Sequence, residues 1–186
     1  MFVKTITLTL CLASFLFGAG GSFMSKNSPL FSDASAKEAI GELIVSAEVK
    51  ELSKSGEYTE VEFIGYQPKD SAVVYEKAGV LIVGLEVANA GALKVIGEKT
   101  DEYGTVWLNV SMKGFVASSA LGKDKGSILK AGKELFGAKC GTCHALHAES
   151  EFDANVWPSI LDAMGEQAAL SKDEKYSIMK YLQNYK

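Results

Sequence analysis

Between residues 42 and 117 apolar positions come in short runs broken by turn-forming residues, and that spacing predicts strands over 43–50, 58–66, 72–76, 80–87, 93–97, 104–110 and 114–117. Thr59, Val61 and Phe63 alternate with Glu60 and Glu62, the period-two pattern of a half-buried strand. Lys54-Ser55-Gly56, Pro68-Lys69-Asp70 and Asn89-Ala90-Gly91 supply turns. Short strands at this spacing imply a small barrel or sandwich. Past the polar, Gly-bounded run 122–126 the period changes from 2 to 3.6. A β domain, 42–122, is therefore expected to precede an all-α domain, 127–186.

In the second domain Ser127 is placed to cap a helix over 128–139, on which Leu129, Gly132, Phe136 and Cys140 lie about one turn apart. Pro158 suits the first turn of a short helix over 158–164, which Gly165 can end. Ser171-Lys172-Asp173-Glu174 is a capping box. After it Ile178, Tyr181, Leu182 and Tyr185 form one apolar stripe. A glycine inside a helix costs about 1 kcal/mol against alanine, so Gly132 implies a close approach, and Tyr181 on the last helix is its expected partner.

The N-terminus has the form of an export signal over 1–20: Lys4, an apolar stretch from Ile6 to Phe17, then Gly18-Ala19-Gly20. Membrane attachment is expected only if that signal stays uncleaved. Residues 21–41, opening with Gly, Ser, Asn, Pro and Asp, read as a linker. Cleavage removes Cys11 and leaves Cys140 and Cys143, which excludes a structural disulfide framework. The net charge of −4 excludes nucleic acid as a partner, and all 19 basic residues are lysines. Without arginine there is no bidentate clamp for a phosphorylated ligand; lysines suit weak, solvated docking.

Candidate chemistry concentrates in Cys140-Gly141-Thr142-Cys143-His144, the C-x-x-C-H pattern of covalent haem c attachment. Two thiols at this spacing can meet the two vinyl groups of one porphyrin, and the adjacent imidazole can bind the iron. A zinc site is disfavoured, because the remaining chain offers only His144 and His147 beside the two cysteines. Met164, Met179 and His147 are candidates for the sixth iron position. His147, three residues from His144, would share its face. Met179 lies within the last helix, where core packing is the ordinary role. Met164 is preferred, with an open position as the alternative. Trp157 can pack on the haem edge or serve as a plain core residue.

Two family resemblances extend this reading. Gly104-Thr105-Val106-Trp107, then Gly114-Phe115-Val116 and Leu121, resembles the end of a bacterial SH3-like barrel, which implies that fold for the β domain. The Gly132 helix, C-x-x-C-H and the aromatic last helix together resemble class I cytochromes c, in which a methionine shortly before the final helix binds iron; that implies Met164 here. The 20 positions from His144 to Met164 form a shorter loop than the class usually has. Asn155-x-Trp157-Pro158 adds a likeness to the C-terminal monohaem domain of cytochromes that feed periplasmic TMAO (trimethylamine N-oxide) reductases.

The resemblances imply a periplasmic electron carrier, not an enzyme, between a membrane quinol dehydrogenase and a terminal reductase of the molybdenum TMAO or dimethyl sulfoxide type. Lys133, Lys139, Glu149, Glu151 and Asp153 are candidates for steering such partners. One alternative is a haem enzyme or a gas or redox sensor with an open iron position. Another is an SH3-like module that binds cell wall or a protein partner.

Overall fold

A computed structural model describes residues 21–185, so the export-signal segment lies outside the described residues. A β-sheet region comes first and a helical region second. The strands are β1 (Ser22–Met24), β2 (Ser28–Phe31), β3 (Ala39–Leu43), β4 (Glu48–Ser55), β5 (Tyr58–Pro68), β6 (Val73–Lys77), β7 (Val80–Val87), β8 (Lys94–Thr100), β9 (Val106–Ala117) and β10 (Leu121–Gly122). The helices are α1 (Lys125–Cys140), α2 (Trp157–Gly165) and α3 (Lys172–Asn184).

The strand pairings form a circuit. β5 pairs β6, β6 pairs β7, β7 pairs β3, β3 pairs β2, β2 pairs β9, and β9 returns to β5. β5 and β9 share the longest ladder, from Tyr58↔Ala117 to Pro68↔Trp107. The alternation expected on β5 is present: Thr59, Val61 and Phe63 are buried. They join Met24, Leu30, Leu43, Leu85 and Val110 in the core of the sheet region.

Four expectations change. Residues 21–41 are not a linker: β1, β2 and most of β3 lie there, and Met24 and Leu30 are fully buried. Strands of three or four residues carry too little periodicity to stand out from a Gly/Ser/Asn-rich background. The run 43–50 splits between β3 and β4, because Ser46 turns the chain with φ 65°. The expected strands 104–110 and 114–117 are one twelve-residue strand, β9. Gly114 sits inside that ladder: a Cβ there would lie 2.6 Å from the Phe31 carbonyl oxygen. Finally, α1 starts earlier than expected, capped by Asp124, whose side chain accepts from the Gly126 N–H; Ser127 is inside the helix. Lys125 and Gly126 thus belong to α1.

The helical region meets its expectations at the crossing of α1 and α3. A Cβ on Gly132 would lie 2.2 Å from the Ser177 carbonyl oxygen and 2.9 Å from the Tyr181 Cβ. Ile178, Tyr181 and Leu182 are buried with Phe136, Trp157 and Leu161. The Ser171 and Glu174 side chains form the reciprocal capping box at the start of α3. Replacing Ser171 with alanine is expected to lower stability by about 1 kcal/mol, read from the urea unfolding midpoint. After α2 the left-handed residue is Ala169, φ 50°, and not Gly165.

Helices and sheet meet across a charged seam with a consistent polarity. Lys125, Lys172 and Lys180 come from the helical side; Glu42, Glu76 and Glu86 come from the strands. Lys172 bridges Glu42 and Glu86, and the Tyr176 hydroxyl donates to Glu86 as well. Burial opposes the Lys172 charge, yet the two carboxylates outweigh it and hold its ammonium above the ordinary lysine range. Lys180 is fully buried on Glu76, and desolvation pushes it below that range.

Candidate haem site

The C-x-x-C-H motif stands where α1 ends. Gly132 and Phe136 are the buried positions of α1, and Cys140, one turn further, packs against the same cluster half-buried. Burial pushes the Cys140 thiol up from its ordinary pKa. The helix stops at Gly141, and the Thr142 hydroxyl donates to the Lys139 carbonyl at 3.0 Å. Cys143 and His144 follow in the turn and are exposed. Both thiols are unbridged.

His144 Nδ1 lies 2.6 Å from the Ala145 carbonyl oxygen. A carbonyl can only accept, so this contact places a proton on Nδ1, the tautomer in which Nε2 is the nitrogen offered to a metal. A row of aromatic contacts leads from this ring into the core. His144 meets His147 edge-on at 5.5 Å, His147 lies 5.4 Å from Phe152, Phe152 meets Trp157 at 5.0 Å, and Trp157 meets Phe136 at 6.3 Å. His147 Nδ1 is also held by Glu151 at 2.9 Å.

Trp157 is buried at the first position of α2, followed by Pro158, and its indole Nε1 has no hydrogen-bond partner. A buried donor left alone costs about 1–3 kcal/mol. That orphan suits a bound group that brings an acceptor, as a haem carboxylate does. With two free thiols and an imidazole presenting Nε2, the residues fit a covalently attached haem. Met164 is half-buried near the end of α2 and stands outside the packed cluster of Phe136, Trp157 and Leu161. Met179 is a core residue, as expected, on the side of α3 that faces Tyr75, Leu81 and Val83 of the sheet. Among the described residues, no group of three or more His, Cys, Asp or Glu is placed to hold a bare metal ion.

Four of the five steering candidates already have intramolecular roles. Lys139 pairs with Glu174 at 2.9 Å, and Lys133 lies over the Tyr181 ring. Glu149 accepts from the Tyr181 hydroxyl at 2.7 Å, and Glu151 holds His147. Asp153 is exposed, and its carbonyl receives the Val156 and Trp157 N–H groups at the start of α2. Sequence reasoning missed the work of Asn155 and Gln183, which tie the loop before α2 to the sheet. Their contacts are 29 to 102 residues apart and leave no local pattern to find.

A sheet region followed by helices, the first of which ends on Cys-x-x-Cys-His, defines a cytochrome c-type protein. Residues 19–121 match the family model described as "TorC third cytochrome c domain", and the chain belongs to that family. The match covers the sheet region and stops before Cys140. Among curated relatives, the cytochrome c-type protein TorY of Escherichia coli O157:H7 is 31% identical over 151 residues, which are 77% of this chain and 41% of that one. The cytochrome c-type protein TorC of Escherichia coli K12 is 26% identical over 161 residues, 83% of this chain and 41% of that one. The TorY protein of Haemophilus influenzae is 25% identical over 148 residues, 76% of this chain and 39% of that one. The chain thus spans about two fifths of the length of the curated relatives it matches. No solved structure matches it.

Proposed function

We propose that this protein is a periplasmic monohaem electron carrier and not an enzyme. The observation that carries the reading is the Cys140–His144 motif at the end of α1, with the His144 Nδ1 proton held by a backbone carbonyl. Cys140 and Cys143 would hold the haem through thioethers, and His144 Nε2 and Met164 would be the residues that bind its iron. Trp157 would support the haem edge, and its Nε1–H would be free to donate a hydrogen bond to a haem carboxylate. When bound, the haem supplies a one-electron couple; the chain needs no acid or base for that task. Its residues hold the redox centre in a fixed setting while partners dock weakly.

The proposed domain organisation is an export signal over 1–20, an SH3-like β domain that takes in the strands from β1 to β10, and a class I-like cytochrome c domain that begins with α1. The electron donor is a membrane quinol dehydrogenase. The acceptor is a periplasmic reductase of the molybdenum type that acts on TMAO or dimethyl sulfoxide.

The test has two parts. The first reads haem content: the intact protein should carry one covalent haem, and the Cys140→Ala/Cys143→Ala variant none. The second reads reoxidation. The reduced holoprotein, mixed anaerobically with periplasmic extract, should be reoxidised only when TMAO or dimethyl sulfoxide is added; no reoxidation with either overturns the assigned acceptor. Met164→Ala should bind carbon monoxide readily in the reduced state where the unaltered protein does not. Ready binding by the unaltered protein would instead favour a gas-binding role with an open iron position.

A further inference from the structure

β7 has an open edge at its beginning. β3 pairs only with Leu85, Glu86 and Val87 of that strand. Nearer its start, Gly79 and Leu81 have no partner residue on β3. Asn155 closes this edge: its Oδ1 accepts from the Leu81 N–H at 2.7 Å, and its Nδ2 donates to the Gly79 carbonyl at 2.9 Å. One carboxamide makes the two bonds that the backbone of a neighbouring strand would make. Gln183 of α3, buried beneath, donates from Nε2 to both the Leu81 carbonyl at 3.0 Å and the Ala154 carbonyl at 2.9 Å. Sheet, loop and last helix therefore join at a single point.

The loop so fixed runs from the motif to α2. It carries His147, Glu151 and Phe152, and it delivers Trp157 to the core. We infer that Asn155 is a positioning residue: by clasping the Gly79–Leu81 edge of the sheet region, it sets the loop that forms one side of the haem site. The sheet region is then a structural part of that site, which goes beyond a spacer or docking module. The second half of this inference rests on the haem reading above; the clasp itself does not.

The test compares Asn155→Ala with Lys172→Ala in the full chain as purified. Lys172 belongs to the same seam but does not touch the loop. Amide hydrogen exchange is followed at Leu81, Glu151 and Val156, whose N–H groups bond to Asn155, Ala148 and Asp153 respectively. In Asn155→Ala these three amides are expected to exchange about tenfold faster, while Lys172→Ala leaves them unchanged. Asn155→Asp keeps the acceptor facing Leu81 but sets an oxygen against the Gly79 carbonyl, so Glu151 and Val156 should respond as they do in Asn155→Ala.

In the haem-loaded protein, the reduction potential should move in Asn155→Ala and hold in Lys172→Ala. Unchanged loop exchange in Asn155→Ala, or equal changes in both variants, overturns the clasp. A loosened loop with an unmoved potential overturns its role at the haem. If the chain carries no haem the reading of function fails, and the exchange comparison still decides the clasp.

Discussion

Replacing Gly132 with alanine is expected to lower stability by about 3 kcal/mol, against an intrinsic helix preference that favours alanine by about 1 kcal/mol. The sign is decided by what the new methyl meets. Its Cβ would sit 2.2 Å from the Ser177 carbonyl oxygen, part of the α3 backbone, and 2.9 Å from the Tyr181 Cβ. Neither atom is the far end of a flexible side chain, so α1 and α3 must part. Their separation loosens Phe136, Ile178 and Leu182 together, since these form one packed cluster. Gly137, on the same helix, is the internal control. A Cβ there meets nothing within 4 Å, and alanine at 137 is expected to raise stability by about 1 kcal/mol. Thermal or urea unfolding of the two variants checks both statements; a neutral Gly132→Ala would mean that the helices do not cross at this point.

The second large effect lies at the seam. Glu76→Gln leaves the Lys180 ammonium buried without a counter-charge. Losing one member of a buried pair costs about 3–5 kcal/mol, and the lower end applies because Glu76 keeps some contact with solvent. The deficit depends on pH. Burial already holds the folded-state pKa of Lys180 below the ordinary lysine value. Between the two values the unfolded chain binds more protons than the folded one, so stability rises with pH until it levels off near about 10.4. Removing Glu76 lowers the folded value further and opens that window at a lower pH. Against the unaltered protein, the variant should be weakest near neutrality and should recover as the solution becomes alkaline. Urea midpoints across that range give the slope directly, and a deficit that grew with pH would reverse the assignment.

Features set by neighbouring residues were legible in the sequence. The Ser171–Glu174 capping box occupies a single turn of chain, the alternation along β5 and the stripe of α3 that brings Tyr181 to Gly132 repeat with a fixed period, and a glycine inside a helix marks the crossing. What escaped depends on partners distant in sequence. β1 and β2 are too short to show a period, and their neighbours lie elsewhere in the chain: β1 between β4 and β10, β2 between β3 and β9. The break expected between 110 and 114 is absent, because β9 runs straight through it, and Gly114 within that strand lets β2 approach β9. The lysines of the seam drew no notice in the sequence, since their glutamates lie 49 to 130 residues away. Met164 is singled out by its distance from the last helix alone, and its side chain is half-buried outside the packed cluster.

The pairing of β1 with β10 has a mechanical consequence. Phe23 lies opposite Gly122 and Met24 opposite Leu121 in an antiparallel register, so the chain enters the sheet region and leaves it for α1 at the same end of one short ladder. Tension applied between residue 21 and α1 therefore acts at that ladder and peels it one pair at a time. The long β5–β9 ladder lies off the line of force. The sheet region hangs on the chain like a pendant beside a cord: a pull on the polypeptide is borne first by these few rungs at its clasp, and the strands behind them are loaded only once the rungs give way.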